Sequence, residues 1–238
     1  EDRLEMGNHF NHITIHGEAF AAADLSFDSM TRKAFGDGES FSTNLSEYVL
    51  VDWIAGEQKA VPPMVGFAED EEGYPDQMKT EFPIMTDNQI TTLENYLRND
   101  RTNLVISGAY FAHDLVEGAA ATDTSRAFAR KLGYQTFIKD ATTTNALFPA
   151  EGTELSISRF GNDLQSPINI EETVYLVENA TGFENIEGQA LLYYGDTDII
   201  AGYATNKLAV FGFPLETVLL DDLRDSYFNE IVQYIVRR

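Results

Sequence analysis

Residues 86–114 constrain the fold more tightly than any other part of the chain. Thr86-Asp87 caps a helix whose Ile90, Leu93, Tyr96 and Leu97 fall on one face. A strand at 103–107 follows at once, its centre Leu104-Val105-Ile106 a short apolar run such as a strand covered on both sides carries. Ser107-Gly108 ends that run, and a helix-like segment carrying His113 and Asp114 comes next. A second apolar run at 48–54 supplies a strand ahead of the helix. Strand, helix, strand, corner, helix is the pattern of a βαβ unit, which implies a parallel pair. At the carboxyl edge of such strands an open α/β sheet places its ligands and nucleophiles. Ser107 is therefore either a nucleophile or a small residue at a tight turn, its hydroxyl on a helix amino-terminal amide.

The flanking segments complete the expected fold. Residues 9–16 alternate as a strand does and meet Gly17, and a helix is expected at about 26–35, capped by Ser26 or Asp28, with Met30, Ala34 and Phe35 inward. Pro62-Pro63, Pro75, Pro83 and the acidic run 69–72 make 61–83 a long irregular loop. A helix at 123–132 stops at Gly133. The segment 134–185, rich in Asn, Thr and Gly, reads as an insertion of loops and short antiparallel strands. Strands are expected at 189–194, 199–204 and 207–213, the last two forming a hairpin through Thr205-Asn206. The final helix, 221–238, has Asp221, Asp222 and Asp225 at its positive end and Arg237-Arg238 at its negative end. The expectation is one α/β domain over 1–238, a three-layer, doubly wound, mainly parallel sheet with an antiparallel extension.

Charge and composition narrow the partners. Thirty-nine acidic against sixteen basic side chains give a net charge of -23, which repels nucleic acid and anionic membranes and either serves solubility alone or favours neutral, cationic or metal-bridged partners. There is no cysteine, so thiol nucleophiles, disulfides and zinc–thiolate sites are excluded. No apolar run approaches the roughly 18–20 residues of a membrane span, so membrane insertion is not expected. A start at Glu1 without an initiator Met fits a cut or processed amino terminus with a signal peptide removed.

Four stretches taken in order resemble secreted bacterial proteins labelled xanthan lyases. They are HFNHITIHGEAF at 9–20, VDWIAGE at 51–57, LVISGAY at 104–110 with Asp114-Leu115 after it, and GFPLET at 212–217. The resemblance implies a domain similar to the class I glutamine amidotransferases, with a flavodoxin-like sheet, in a periplasmic or cell-surface protein. It also implies glycan or cell-wall fragments as partners, together with other domains of a longer protein. In the amidotransferase pattern a Cys occupies the corner and a His-Pro-Glu on a late strand completes a triad. Here Ser107-Gly108 stands at the corner, and in Phe213-Pro214-Leu215-Glu216 a Phe takes the place of the base. The ordinary amidotransferase mechanism is excluded, because an unactivated nucleophile is weak.

The candidate residues follow from these readings. A serine hydrolase would use Ser107 as nucleophile, His113 or His16 as base and Asp114 or Glu57 as the orienting acid. A carbohydrate lyase would need a Tyr or His base beside a charge neutraliser, and basic residues are scarce. A binding site without catalysis would draw on His16, Gly108, Tyr110, Glu57 and Glu216. His9, His12 and His16 are better read as strand residues than as a metal set, since a strand splits them between two faces. The acidic stretches 69–72 with Asp76, and 196–198, lack the spacing of a calcium loop. Neither a metal nor a cofactor is expected. Trp53, Tyr110, Phe111, Tyr193 and Tyr194 fit core packing better than a sugar-stacking surface, with Tyr110 the most exposed of them.

Overall fold

A computed structural model describes residues 12–30, 45–57, 83–141, 144–161, 175, 177, 179–195, 197–219 and 221–235. The expected unit at its centre is present. Strand β1 (Leu50–Gly56) pairs in parallel with β2 (Asn103–Gly108), joined through helix α2 (Asp87–Leu97). A reciprocal capping box starts α2: the Thr86 hydroxyl accepts from the Gln89 amide while the Gln89 side chain accepts from the Thr86 amide. Helix α3 (Phe111–Val116) follows β2, and α4 (Asp123–Leu132) opens with a second capping box from Thr122 and Ser125. Gly133 ends α4 at φ 97°, a left-handed conformation that glycine adopts without a Cβ penalty.

Beyond α4 the chain departs from the expected fold. Strands β3 (Tyr134–Ile138), β4 (Ala146–Pro149), β5 (Ser158–Arg159), β6 (Gly182–Ile186), β7 (Gln189–Tyr194), β8 (Ile200–Ala204) and β9 (Leu208–Phe211) all join the same sheet. The order is β1-β2-β9-β8-β7-β4-β5, with β6 bridging to β8 and carrying β3 at its side. Two pairings are parallel, β1 with β2 and β2 with β9; the other six are antiparallel. The sheet is mixed, mostly antiparallel and curled as a half-barrel, not the mainly parallel doubly wound sheet expected of a flavodoxin-like or amidotransferase-like fold. The reason lies in the connections. A parallel neighbour needs a crossover of a dozen residues or more, whereas β6 to β9 succeed one another through turns of a few residues. The stretch read as an insertion thus contributes strands to the main sheet and outweighs the parallel core.

Two helical expectations also change. Residues 12–16, expected within a strand, belong to helix α1 (His12–Ala22), and 9–11 lie outside the described residues. Ile13, Thr14 and Ile15 favour a strand locally, but the helical period puts His16, Ala19, Phe20 and Ala23 on one buried stripe. Residues 26–30 have no regular structure where a helix was expected, and 31–35 lie outside the described residues. So do the loop 61–82 and the carboxyl-terminal arginines. The last helix, α5 (Asp221–Ile235), is present.

Strand alternation sorts the core into two faces around the parallel strands. Leu104, Ile106 and Val210 turn towards α2, α3 and α4, meeting Ile90, Leu93, Phe111, Phe128 and Leu132. Val105, Ala209 and Phe211 turn the other way, towards Phe20 of α1 and Tyr227, Phe228 and Ile231 of α5. The register that sets Asp52 beside Val105 and Ile54 beside Ser107 puts Asp52 and Ser107 on this second face. Among the described residues no helix is long and apolar enough to cross a membrane.

The fully buried Phe128 ring and the half-buried cap at Thr86 test this layering separately. In chemical denaturation Phe128→Ala should lose about 3–5 kcal/mol of stability. Thr86→Ala should lose only about 1 kcal/mol, the contribution of a helix cap.

Candidate functional site

Three buried titratable groups, His16, Asp52 and Glu216, meet on the α1 face of the parallel strands. Asp52 stands inside the apolar run of β1 and faces α1. Opposite it, His16 occupies the buried stripe of α1, 2% exposed. Glu216, fully buried, lies in the 3₁₀ turn Leu215–Thr217 that follows β9. His16 Nδ1 donates to Asp52 Oδ2 at 2.5 Å, and Nε2 donates to Glu216 Oε2 at 3.2 Å. A carboxylate can only accept, so both ring nitrogens carry protons and the imidazole is a cation. The Tyr175 hydroxyl donates to the other Glu216 oxygen at 2.7 Å. The edge of the His16 ring meets Phe228 of α5, centroids 4.9 Å apart, and the ring of His12, one turn away, lies 5.1 Å from Tyr175.

Charge states follow from this arrangement. Burial alone pushes His16 towards neutrality, but the Asp52 charge and hydrogen bond, joined by those of Glu216, outweigh it and raise its pKa from 6.5 to about 10. Burial pushes the Glu216 carboxyl up, yet the His16 hydrogen bond and charge, the His12 charge and the Tyr175 hydroxyl together hold it below its ordinary 4.5. The Tyr175 hydroxyl is driven well above 10 by burial first, then by the Glu216 charge and hydrogen bond and the Glu57 charge. Arg224 of α5 donates to the Glu216 backbone carbonyl at 3.3 Å. Its guanidinium is lowered by burial against the opposing pull of Asp225, Glu18 and Glu216.

Ser107, His113 and Asp114 are not assembled as a triad. Ser107 is fully buried, and its Oγ has no hydrogen-bond partner among the described residues. His113 Nδ1 contacts Asp114 Oδ1 at 3.2 Å, one residue along its own helix, and its ring lies 6.2 Å from Phe137. This places the imidazole beside Phe137 on the half-buried flank of α3. Gly108 serves close packing: a Cβ there would come within 2.7 Å of Ala55 Cβ and 2.8 Å of the Gly56 carbonyl. The half-buried Tyr110 accepts from Asn179 Nδ2 at 2.6 Å. Glu57 is half-buried at the end of β1. Phe213, where the amidotransferase pattern has its base, is fully buried against Phe160, Tyr194 and Phe211. Trp53, Phe111 and Tyr194 are likewise core residues.

Tyr175, Asn179 and Thr181 each bond to residues around the corner. Besides the Tyr175 bond to Glu216, Asn179 reaches Tyr110, the Thr181 hydroxyl donates to the Ala109 carbonyl, and the Thr181 amide donates to Gly212 O at 2.7 Å. Among the described residues no cluster of three or more His, Asp or Glu could hold a metal ion.

Of the residues singled out from sequence, His16 and Glu216 meet directly. Asp52 and Tyr175 were not singled out. Asp52 carried a signal: a lone carboxylate within an apolar run must find a partner when the run is buried. Tyr175 carried none, because its role depends on a loop contact. Comparison with protein-family models, with curated proteins and with solved structures found no match.

The ion cluster gives stability a two-sided pH dependence. The His16 contribution is complete below pH 6.5 and is lost as pH rises from there to about 10. The Glu216 contribution is complete above pH 4.5 and is lost as pH falls through its lowered pKa. Thermal melts across pH should therefore show a plateau between these limits. His16→Gln should flatten the alkaline limb and lower the plateau by about 3–5 kcal/mol, the usual result of removing one partner of a buried pair.

Proposed function

We propose that this chain is a non-catalytic domain of an exported bacterial protein, with a binding or structural role tied to polysaccharide or cell-wall processing. The observation that carries the non-catalytic reading is the state of the corner. Ser107 Oγ is sealed without a base, and the imidazole on its face of the sheet has both nitrogens committed to carboxylates. A serine nucleophile needs an imidazole that can take its proton, and a His16 held as a cation by two carboxylates cannot do so at neutral pH. The link to polysaccharide and export rests on the residue-level resemblance at 9–20, 51–57, 104–110 and 212–217. Tyr110 and Glu57 are half-buried groups just past the ends of β2 and β1 that a glycan could meet, the tyrosine offering a ring face for stacking.

Two measurements test the two halves of this reading. A fluorophosphonate serine probe should leave the intact protein unlabelled; labelling that disappears in Ser107→Ala would establish the hydrolase alternative instead. Retention on immobilised cell-wall fragments should be detectable and should weaken several-fold in Tyr110→Ala. Absence of retention on every glycan tried would remove the binding role.

A further inference from the structure

The pocket under α1 has more hydrogen-bonding capacity than His16 fills. Asp52 and Glu216 present four carboxylate oxygens. His16 takes Asp52 Oδ2 and Glu216 Oε2, and Tyr175 takes Glu216 Oε1. Asp52 Oδ1 is buried and has no hydrogen-bond partner among the described residues. Ser107 Oγ, on the same sheet face one diagonal step along the adjacent strand, is in the same condition. Two buried polar atoms left unmatched in one place are a marked departure from native practice, where such atoms nearly always find partners. An imidazolium has only two N–H groups, whereas a guanidinium has five donors and an ammonium three.

The cover over these atoms, α1, joins β1 and the turn after β9 through the ion pair and packs on α5 through a small apolar face. The apolar residues that α1 and the turn after it bury are Ala19, Phe20 and Ala23, only one of them large. Phe20 sits edge-on against Phe228, 5.1 Å between centroids. An 11-residue helix is marginal by itself and depends on its docking.

We propose that α1 is a lid whose His16 acts as the resident cation of an Asp52–Glu216–Ser107 pocket, and that the uncovered pocket receives the guanidinium or ammonium group of a cationic ligand. Opening hydrates Asp52 Oδ1 and Ser107 Oγ and trades His16 for a cation with more donors. The Arg224 guanidinium stays with α5, bonded to the Glu216 backbone carbonyl. This proposal does not depend on a role with glycans, and it accords with a chain of net charge -23.

Amide hydrogen exchange on the intact chain is the test, with methylguanidinium chloride as the probe and sodium chloride at equal ionic strength as its control. The amides of 12–22 should exchange about tenfold or more faster than those of 103–108, the sign of a local opening. Methylguanidinium should quicken the α1 amides alone, since a ligand that binds only the open state enlarges its population. Exchange of α1 at the rate of β2, or equal responses to the two salts, would overturn the lid. In His16→Ala, calorimetry should detect methylguanidinium binding that disappears when Asp52→Asn is added, and a folded His16→Ala that binds none would overturn the pocket. Should that variant not fold, exchange in the unaltered chain decides.

Discussion

An imidazolium held between two carboxylates in the interior sets the terms on which the rest of this molecule packs. Asp52 lies in a strand with apolar neighbours on either side, and Glu216 is wholly inaccessible. Leaving either ionised and unpaired in that environment would cost several kcal/mol, a large share of a domain's net stability. His16 removes the problem for both, one ring nitrogen to each. To deliver that ring the chain must be helical at 12–22, since only the helical period aligns His16 with Ala19, Phe20 and Ala23. The ion cluster thus overrides the strand preference of Ile13-Thr14-Ile15, and it binds together α1, β1 and the turn after β9, segments some 200 residues apart in the chain.

This explains which parts of the fold could be read from the sequence. Where local signals were complete, they held: the Thr86–Gln89 box opening α2, the apolar strand at 103, and Gly133 closing α4 are all determined within a few residues. The hairpin at Thr205-Asn206 joins β8 to β9 as its turn residues imply. Of the strand expected at 9–16, the described part 12–16 is helical because its conformation is fixed by partners 36 and 200 residues away, beyond the reach of any window. The mainly parallel sheet failed for a related reason. A βαβ unit identifies one parallel pair, and only the missing crossovers after residue 134 show that the other strands must return antiparallel.

The site was legible in half. His16 and Glu216 stand out by residue type and position, while Asp52 is a single carboxylate inside a nearly continuous apolar run whose partner no local pattern shows. Ser107 was noticed for the right position, since the corner does lie at the carboxyl edge of parallel strands. Position alone does not make a nucleophile. What the corner holds in place of a base is Phe213, turned into an aromatic cluster with Phe160, Tyr194 and Phe211, while Tyr175 bonds to Glu216 and Thr181 to Ala109 beside it.

The mixed sheet and the closed corner are two consequences of one arrangement. In an all-parallel sheet every strand needs a covering crossover, and the carboxyl edge stays open as a crevice at the switch of strand order. Here β9 is parallel to β2 on one side and antiparallel to β8 on the other. The edge where β2 and β9 end is therefore also where β8 begins, and the chain entering β6 through Thr181 passes across it, bonded to Ala109 and Gly212. A sheet that changes from parallel to antiparallel at β9 brings loops from its antiparallel half over the end of its parallel half. The crevice becomes interior, and any carboxylate left there must be neutralised from inside the chain. His16 on α1 is the group that does it, which is why the helix, the corner and the strand order belong to a single solution.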